Sequence, residues 1–312
     1  MKRNLLKIYV GLIFSILIWS YSFAMIKICY NYGFTPLLLV NVRLLVGALI
    51  LFTLCRWKGF LQQIRKEDRW RFILLAFFEP FLYYIGESIS LTYISASTVA
   101  VFIGMIPVFT PFFMYFAYKE KLRKSVLIST FFSFIGILLV FYSEIQLSGN
   151  LIGFLFIFLS IFSALGYTAF VKELVDRYNP YFIVLIQELI GAFFFLPLVL
   201  IKEFQFVHQI QWNFEVILYV FLLAFFASSL AYVFYSSAIQ ALGATRTSIF
   251  SNLIPVFATI GALLTGLETP DFIKITGILI VISSVFALQY YTSAFRKQFS
   301  QKIREKIFPP ST

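Results

Sequence analysis

The sequence predicts an all-α integral membrane protein of ten transmembrane helices, arranged as two inverted five-helix repeats. Composition, long apolar runs and matches between the two halves of the chain support this fold class. Of the 312 residues, 61% are hydrophobic and only 12% are charged, and the mean hydropathy is +0.90. A soluble domain usually carries about 25% charged residues. These values exclude a soluble enzyme, a disordered protein and a nucleic-acid-binding domain.

Ten runs of the chain are apolar enough to form membrane-spanning helices, which need about 20 mostly apolar residues each. The runs lack the two-residue alternation of membrane strands, so helices are favoured over a barrel. The breaks are short and many contain Gly, Pro or Asn, which leaves no room for a separate soluble domain. The ten runs lie near residues 8–30, 35–54, 71–91, 95–117, 125–142, 150–171, 180–201, 214–238, 245–266 and 271–291.

Lysine and arginine are concentrated on one side of these runs, as the positive-inside rule describes for cytoplasmic loops. With a cytoplasmic N-terminus, 21 of the 25 basic residues fall on the cytoplasmic side, in the segments 2–7, 56–71, 119–124, 172–177, 246 and 296–306. Lys202 and Lys274 fall outside, and Lys27 and Arg43 lie within predicted helices. Both termini are therefore predicted to be cytoplasmic. The basic tail 296–312 is interpreted as a topology anchor near anionic lipid, with no nucleic-acid partner.

The two halves of the chain match each other at nearly constant offsets. An offset of 148 residues aligns Pro107–Phe109 with Pro255–Phe257, and both triplets read Pro-Val-Phe. Five helices per half require the second copy to enter the membrane upside down. The loop after helix four is basic, whereas its counterpart is acidic, which agrees with that inversion. The predicted units are residues 1–146 and 147–295, and such inverted repeats are typical of secondary transporters.

Several motifs at matching places in the two halves resemble the EamA-type repeats of the drug/metabolite transporter superfamily. They are Ala96–Ala100, Ile106–Thr110 and Lys119–Lys121 in the first half, and Leu242–Thr245, Asn252–Phe257 and Leu267–Glu268 in the second. Trp19, Ser20, Lys27 and Arg43 are also similar to that family. The resemblance covers essentially the whole chain. It implies a carrier of a small-molecule solute without a cofactor, in most relatives an exporter in the bacterial inner membrane.

Five charged residues lie inside the predicted helices, where each costs about 2.5–3.5 kcal/mol on insertion scales. They are Lys27, Arg43, Glu79, Glu87 and Glu188. Such residues are candidates for solute binding or for coupling to an ion. Each also has a structural interpretation. Glu79 or Glu87 could neutralise Arg43, and Lys27 could extend its ammonium group to the membrane surface.

Polar residues on the third predicted helix suggest a water-lined cavity. On a regular α-helix, Glu79 shares its face, within roughly 40°, with three residues. They are Tyr83, Gly86 and Ser90. Glu87 lies about 80° from the same direction. A carboxylate in such a cavity could take up a proton and couple transport to the proton gradient, or it could hold the ammonium group of a substrate.

Aromatic and amide side chains are further candidates for contact with a solute. The aromatic residues that could stack on a planar or cationic group are Trp19, Tyr83, Tyr84, Tyr167, Tyr232 and Tyr235. Asn252 could donate a hydrogen bond to substrate or to a neighbouring helix. Pro107 and Pro255 occupy equivalent places in paired helices, where they could act as gates or only pack. The sequence shows no metal-binding or phosphate-binding motif.

These observations predict a carrier, not an enzyme, that works by alternating access and exports a small polar metabolite or amino acid. Protons are the favoured coupling ion, with exchange and facilitated diffusion as alternatives. One rival is an integral-membrane enzyme acting on a lipid or its headgroup, and another is a channel or sensory membrane protein. The dispersed acidic residues and short loops disfavour the enzyme, and the internal repeat disfavours the channel.

Overall fold

The chain forms a bundle of apolar helices joined by short turns. The computed structural model describes residues 5–118, 124–148, 150–243, 247–266, 269, 271–284 and 287. Its α-helices are α1 Leu5–Asn31, α2 Pro36–Lys58, α3 Arg69–Ala76, α4 Tyr83–Tyr93, α5 Ala96–Ile103, α6 Ile106–Tyr118, α7 Lys124–Ser148, α8 Leu151–Leu174, α9 Pro180–Lys202, α10 Phe214–Leu222, α11 Ala231–Leu242, α12 Ile254–Leu264 and α13 Phe272–Ser284. The basic residues 119–123, Thr245, Glu268 and the tail 296–312 lie outside the described residues.

Within the part of the chain that the structure describes, six helical segments are long and apolar enough to cross a membrane. They are Leu5–Asn31, Pro36–Lys58, Lys66–Tyr93, Leu151–Leu174, Pro180–Lys202 and Phe214–Leu242. Four shorter apolar helices are Ala96–Thr110, Phe131–Ser143, Ile254–Leu264 and Phe272–Ser284. Each of the ten predicted runs coincides with helical residues. These apolar helices confirm the prediction of a multi-pass helical membrane protein. Helices are suited to lipid because they satisfy their own backbone groups.

The helix ends carry the residues that favour turns. Pro36 and Pro180 each occupy the first turn of a helix. The lack of an N–H group costs nothing there, because N–H groups of the first turn have no partner within the helix. The side-chain oxygen of Asn179 accepts a hydrogen bond from the backbone N–H of Tyr181 at 3.0 Å and so caps α9. Gly59 ends α2 with φ +68°, a left-handed conformation that glycine adopts without strain. These local signals end the helices close to the predicted boundaries.

Two of the spanning segments are interrupted by wider turns. Phe77–Leu82 joins α3 to α4, and Leu223–Leu230 joins α10 to α11, both with π-type hydrogen bonding. Glu79 has φ −145° and ψ 116°, an extended conformation inside a helical segment. Pro80 has no N–H group to continue the ladder. The sequence predicts one regular helix over the run 71–91. The structure shows an interruption at Phe77–Leu82, which Pro80 explains.

A further pair of interruptions brings the two halves of the chain together. Gly104 and the residue after it separate α5 from α6, and the 3₁₀ turn Ile249–Leu253 precedes α12. A Cβ atom added to Gly104 would clash with the ring of Pro255, so the two interruptions meet at a glycine. Pro107 and Pro255 both lie in the first turn of the helix that follows an interruption. Their role as gates stays a prediction.

Helices α7 and α13 cross with their backbones in close contact. A Cβ atom added to Gly277 would lie 2.7 Å from the backbone oxygen of Gly136, and one added to Gly136 would lie 2.7 Å from that of Gly277. The hydroxyl groups of Ser133 and Ser284 share a buried hydrogen bond of 2.6 Å between the same helices. Small residues permit this close approach. The van der Waals contacts between the two helices stabilise the pair, because in lipid no hydrophobic force drives helices together.

Gly277→Ala is expected to lower the free energy of unfolding by about 1–3 kcal/mol, because the added methyl group must push α13 away from α7. Thermal unfolding of the purified protein in detergent measures the effect. Leu279→Ala is the matched control, since Leu279 lies on the same helix and is 58% exposed on its outer face. Identical unfolding of Gly277→Ala and the unaltered protein would contradict the close crossing.

Candidate functional site

A partly open cavity lies between the two halves of the chain. Its charged lining residues are Arg43, Glu79 and Glu87, and its aromatic ones are Trp19, Phe23, Tyr83, Tyr84, Tyr167, Tyr232 and Tyr235. The remaining lining residues are Ser22, Ile103, Ile106, Ala164, Thr168, Ser251 and Ile254. The cavity brings together most of the predicted site residues, namely Trp19, Arg43, Glu79, Tyr83, Glu87, Tyr167 and Tyr235.

Two carboxyl groups face this cavity from the third spanning segment. Glu79 is 7% exposed and Glu87 is 4% exposed. The hydroxyl group of Tyr232 donates a hydrogen bond to Oε1 of Glu79. Oε2 of Glu87 is buried and has no hydrogen-bond partner among the groups that the structure describes. Because a buried carboxylate is costly without a partner, Glu87 is suited to accept a hydrogen bond from a bound solute.

Arg43 enters the same cavity from α2 and is 2% exposed. Its Nε donates a hydrogen bond of 3.1 Å to Oγ of Ser228. The guanidinium carbon lies 4.9 Å from the centroid of the Tyr84 ring, a cation–π distance. Among the described residues, no carboxylate oxygen lies within 4.0 Å of its nitrogens, and Nη1 has no hydrogen-bond partner. The direct ion pair with Glu79 or Glu87 that the sequence left open is therefore not observed.

Aromatic rings form one wall of the cavity. The ring centroid of Trp19 lies 5.0 Å from those of Tyr232 and Tyr235, and its indole N–H donates to the carbonyl of Ala227 at 3.0 Å. The ring of Tyr167 lies 6.3 Å from that of Tyr232. All six aromatic residues that the sequence selected line the cavity. Their faces can stack on a planar group or attract a cation.

Only part of the polar stripe predicted on the run 71–91 lines the cavity. Glu79, Tyr83 and Glu87 line it at successive spacings of four residues. Gly86 and Ser90 do not. A Cβ atom added to Gly86 would clash with the backbone of α8, so Gly86 lies in a helix–helix contact. The extended backbone at Glu79 breaks the regular rotation of 100° per residue on which the stripe depended.

Two predicted residues, Lys27 and Glu188, lie elsewhere, and the structure does not describe the side chain of a third. Lys27 is half-buried in α1 and does not line the cavity. Glu188 is 2% exposed and lies behind the cavity, between α9 and α2. The side chain of Asn252 lies outside the described residues. In the described part of the chain, no three His, Cys, Asp or Glu residues are grouped so that they could hold a metal ion.

The cavity also contains residues that the sequence analysis did not select. Ser22 and Phe23 follow Trp19 by three and four residues on α1, so helical spacing from Trp19 would have indicated both. Ser251 lies in the 3₁₀ turn before α12, and Ile254 is the first residue of α12. Their direction does not follow from α-helical spacing, because a 3₁₀ turn rotates its side chains by a different angle.

A polar cluster joins two loops at the predicted cytoplasmic end of the bundle. Asp68 is fully buried and accepts three hydrogen bonds. The donors are Arg177 at 2.7 Å, the hydroxyl group of Tyr178 at 2.9 Å and Arg71 at 3.1 Å. Arg71 also donates to Glu173 at 2.7 Å. The loop before α3 in the first half is thereby tied to the loop before α9 in the second.

Asp68→Asn is expected to lower the free energy of unfolding by about 1.5–3 kcal/mol, the usual contribution of a hydrogen bond to a charged group. The amide keeps the shape of the carboxyl group but turns one acceptor into a donor that faces other donors. Thermal unfolding in detergent is the measurement. Asp176→Asn is the control, because Asp176 is exposed in the partner loop. If both variants unfold at the same temperature, the cluster does not join the loops.

A second set of contacts joins loops at the opposite end. The hydroxyl group of Tyr32 donates to Glu215, and the backbone N–H of Gln211 donates to the carbonyl of Tyr32 at 2.9 Å. The carboxylate of Glu203 accepts a hydrogen bond of 2.7 Å from the backbone N–H of Leu38. The end of α1 and the start of α2 are therefore tied to the segment between α9 and α10 and to the first turn of α10.

Comparisons with known proteins agree with this architecture. The model of the EamA-like transporter family matches residues 6–142 and again residues 151–290. A protein of Archaeoglobus fulgidus described as a transporter is 25% identical over 291 residues, which cover 90% of this chain and 96% of its own. The transporter YetK of Bacillus subtilis is 24% identical over 256 residues, 79% of this chain and 76% of its own. One crystal structure matches 91% of this chain and 98% of its own with a TM-score of 0.66 at 14% identity, a likeness of fold alone.

Proposed function

This chain belongs to the EamA-like transporter family, and we propose that it is a drug/metabolite-type secondary transporter that exports a small polar metabolite or amino acid. The single observation that carries the choice of solute is the mixed charge of the central cavity. Arg43 and Glu87 both face the cavity, and each has a buried polar atom without a hydrogen-bond partner among the described groups. A carrier needs a site that the bundle can enclose, and this one lies between the halves.

An amino acid is the solute class that fits these groups best. Its carboxylate would accept hydrogen bonds from the guanidinium of Arg43, and its ammonium group would donate to Glu87. Charges that leave water are costly unless they are paired, so a solute with both signs is favoured over one with a single charge. The aromatic wall would contact the side chain of the solute.

Alternating access between two inverted repeats, residues 1–146 and 147–295, is the proposed mechanism. Helices α2 and α9, the second of each half, pack against each other. The third helix of each half is interrupted, by Phe77–Leu82 and by Leu223–Leu230. Interrupted helices around a central site are typical of transporters built from inverted repeats. These features support the proposed relation between the halves.

Opening the cavity to one side would break contacts at one end only. The Asp68 cluster joins the halves at the predicted cytoplasmic end, and the contacts of Tyr32 with Glu215 join them at the other.

We place both termini in the cytoplasm, since Lys and Arg concentrate on the side of the membrane where the termini lie. The proposed location is a bacterial inner membrane. The tail 296–312 would then lie near anionic lipid.

Protons are the proposed coupling ion. Three buried carboxyl groups, those of Glu79, Glu87 and Glu188, lie at the cavity or directly behind it, and one of them would exchange a proton with the side to which the cavity is open. An inward proton gradient would then drive the solute outward. Exchange of one solute for another is the alternative, and it requires no gradient.

A transport assay in proteoliposomes tests this function. Radiolabelled amino acids and small metabolites are offered with and without an imposed pH gradient, and liposomes without protein are the control. We expect accumulation of amino acids that the gradient stimulates. Accumulation that ignores the gradient would contradict proton coupling. Turnover of a solute in detergent solution, where there is no second compartment, would contradict a carrier and favour an enzyme.

A further inference from the structure

A buried carboxyl group lies just behind the solute cavity. Glu188 of α9 is 2% exposed and does not line the cavity. The hydroxyl group of Ser229 donates a hydrogen bond of 2.8 Å to its Oε1, while Oε2 has no partner among the described groups. A Cβ atom added to Gly47 of α2 would lie 2.8 and 2.9 Å from the two carboxyl oxygens. The absence of a side chain at Gly47 makes the space that Glu188 occupies.

Arg43 connects this carboxyl group to the cavity. It lies one helical turn before Gly47 on α2, and it lines the cavity. Its Nε donates to Ser228, the residue next to Ser229 in the widened segment Leu223–Leu230. One short segment of backbone therefore carries the partner of the guanidinium and the partner of the buried carboxyl group. A change of charge on Glu188 would be felt at Arg43 through space and through this segment.

Among the described residues, Arg43 is the charged group of α2 that lies nearest in sequence to the glycine against which Glu188 packs. The widened segment contributes Ser228 and Ser229, which do not titrate. The segment Phe77–Leu82 also packs on α9 and carries Glu79, but Glu79 accepts a hydrogen bond from Tyr232 of α11 and lines the cavity. Glu87 of α4 lines the cavity, as Arg43 does. Arg43 therefore shares the cavity with this carboxyl group and lies one helical turn from Gly47, against which the carboxyl group of Glu188 packs.

We propose that Glu188 is the proton-coupling site, distinct from the solute site, and that it acts by releasing or recruiting Arg43. This rests on the proposed transport function. Binding one proton removes the negative charge of Glu188, and loss of that proton restores a carboxylate that attracts Arg43. The position of Arg43, and with it the affinity of the cavity for the solute, therefore depends on whether Glu188 carries a proton. The residues of the cavity bind the solute, and the residue behind it responds to pH.

Transport by Glu188→Gln in proteoliposomes separates the two sites, with a mixture of radiolabelled neutral amino acids as the probe. The amide mimics the protonated acid permanently. We expect exchange of labelled for unlabelled amino acid to continue and accumulation driven by a pH gradient to be lost. Glu67→Gln is the control, since Glu67 is exposed at the cytoplasmic end, and it should behave as the unaltered protein. Gradient-driven accumulation by Glu188→Gln, or loss of exchange together with accumulation, would overturn the proposal.

Infrared difference spectroscopy reads the proton directly and requires no solute. The purified protein is titrated, and we expect a carboxylic acid band that Glu188→Gln removes and that Ser229→Ala shifts in its dependence on pH. A titrating band that is unchanged in both variants would overturn the site. If the unaltered protein moves none of the amino acids, the proposed solute class fails, whereas the infrared result still decides whether Glu188 binds a proton.

Discussion

Arg43→Lys is expected to reduce amino-acid accumulation in proteoliposomes by about ten- to hundredfold, which corresponds to the loss of about 1.5–3 kcal/mol from a charged hydrogen bond. Lysine keeps the positive charge but lacks the planar fork that binds a carboxylate through two donors. A single ammonium group is also less able to donate to Ser228 while lying over the ring of Tyr84, as the guanidinium does. The variant therefore tests geometry at constant charge.

Arg56→Lys is the matched control for this prediction, because Arg56 is exposed near the predicted cytoplasmic end of the same helix. It should accumulate amino acids at the wild-type rate. Yield and elution profile in detergent would show whether Arg43→Lys still inserts and folds. A folded Arg43→Lys protein with unaltered accumulation would show that Arg43 does not bind the solute and serves only to neutralise buried carboxyl groups.

Glu87→Gln is expected to reduce both gradient-driven accumulation and exchange by about tenfold or more, with membrane insertion left intact. The amide has nearly the shape of the carboxyl group but no charge to hold an ammonium group. Oε2 of Glu87 is a carboxylate oxygen in the cavity without a partner among the described groups, so the solute loses its cationic contact. The expected loss of affinity is about tenfold or more, since a hydrogen bond to a charged group contributes about 1.5–3 kcal/mol.

Exchange is the measurement that distinguishes Glu87 from Glu188. Glu87→Gln should lose most of it, whereas Glu188→Gln should keep it, although each variant replaces one buried acid by its amide. Normal transport by Glu87→Gln over a range of pH would show that the cavity carboxylate neither binds the solute nor carries the coupling proton. The pair of variants thus separates solute binding from coupling within a single assay.

The residues of the cavity were more predictable than their arrangement. Arg43, Glu79 and Glu87 were recognisable because a charge inside an apolar run is costly and needs a reason to be there. The direction of each side chain was less predictable. Gly86 was expected beside Glu79, but the interruption at Pro80 turns Gly86 towards α8.

Glu188 shows most clearly what linear sequence does not contain. Its charge and its place in an apolar run marked it as a candidate, as they did Glu87. Its separation from the cavity depends on Gly47 and Ser229, which lie on two other elements of the chain. Neither residue is a signal by itself, since glycine and serine are common in membrane helices for packing alone.

Composition and the spacing of apolar runs alone determined that this is a multi-pass helical membrane protein, because lipid tolerates so few alternatives to the helix. Repeated motifs, read from the same sequence, indicated the family. The tertiary structure decided which polar residues share one cavity, which lie behind it and where the helices are interrupted. These are contacts between residues more than a hundred positions apart, such as Arg43 with Ser228 and Tyr232 with Glu79. Helical periodicity relates only neighbours on one helix, so it cannot specify contacts between helices.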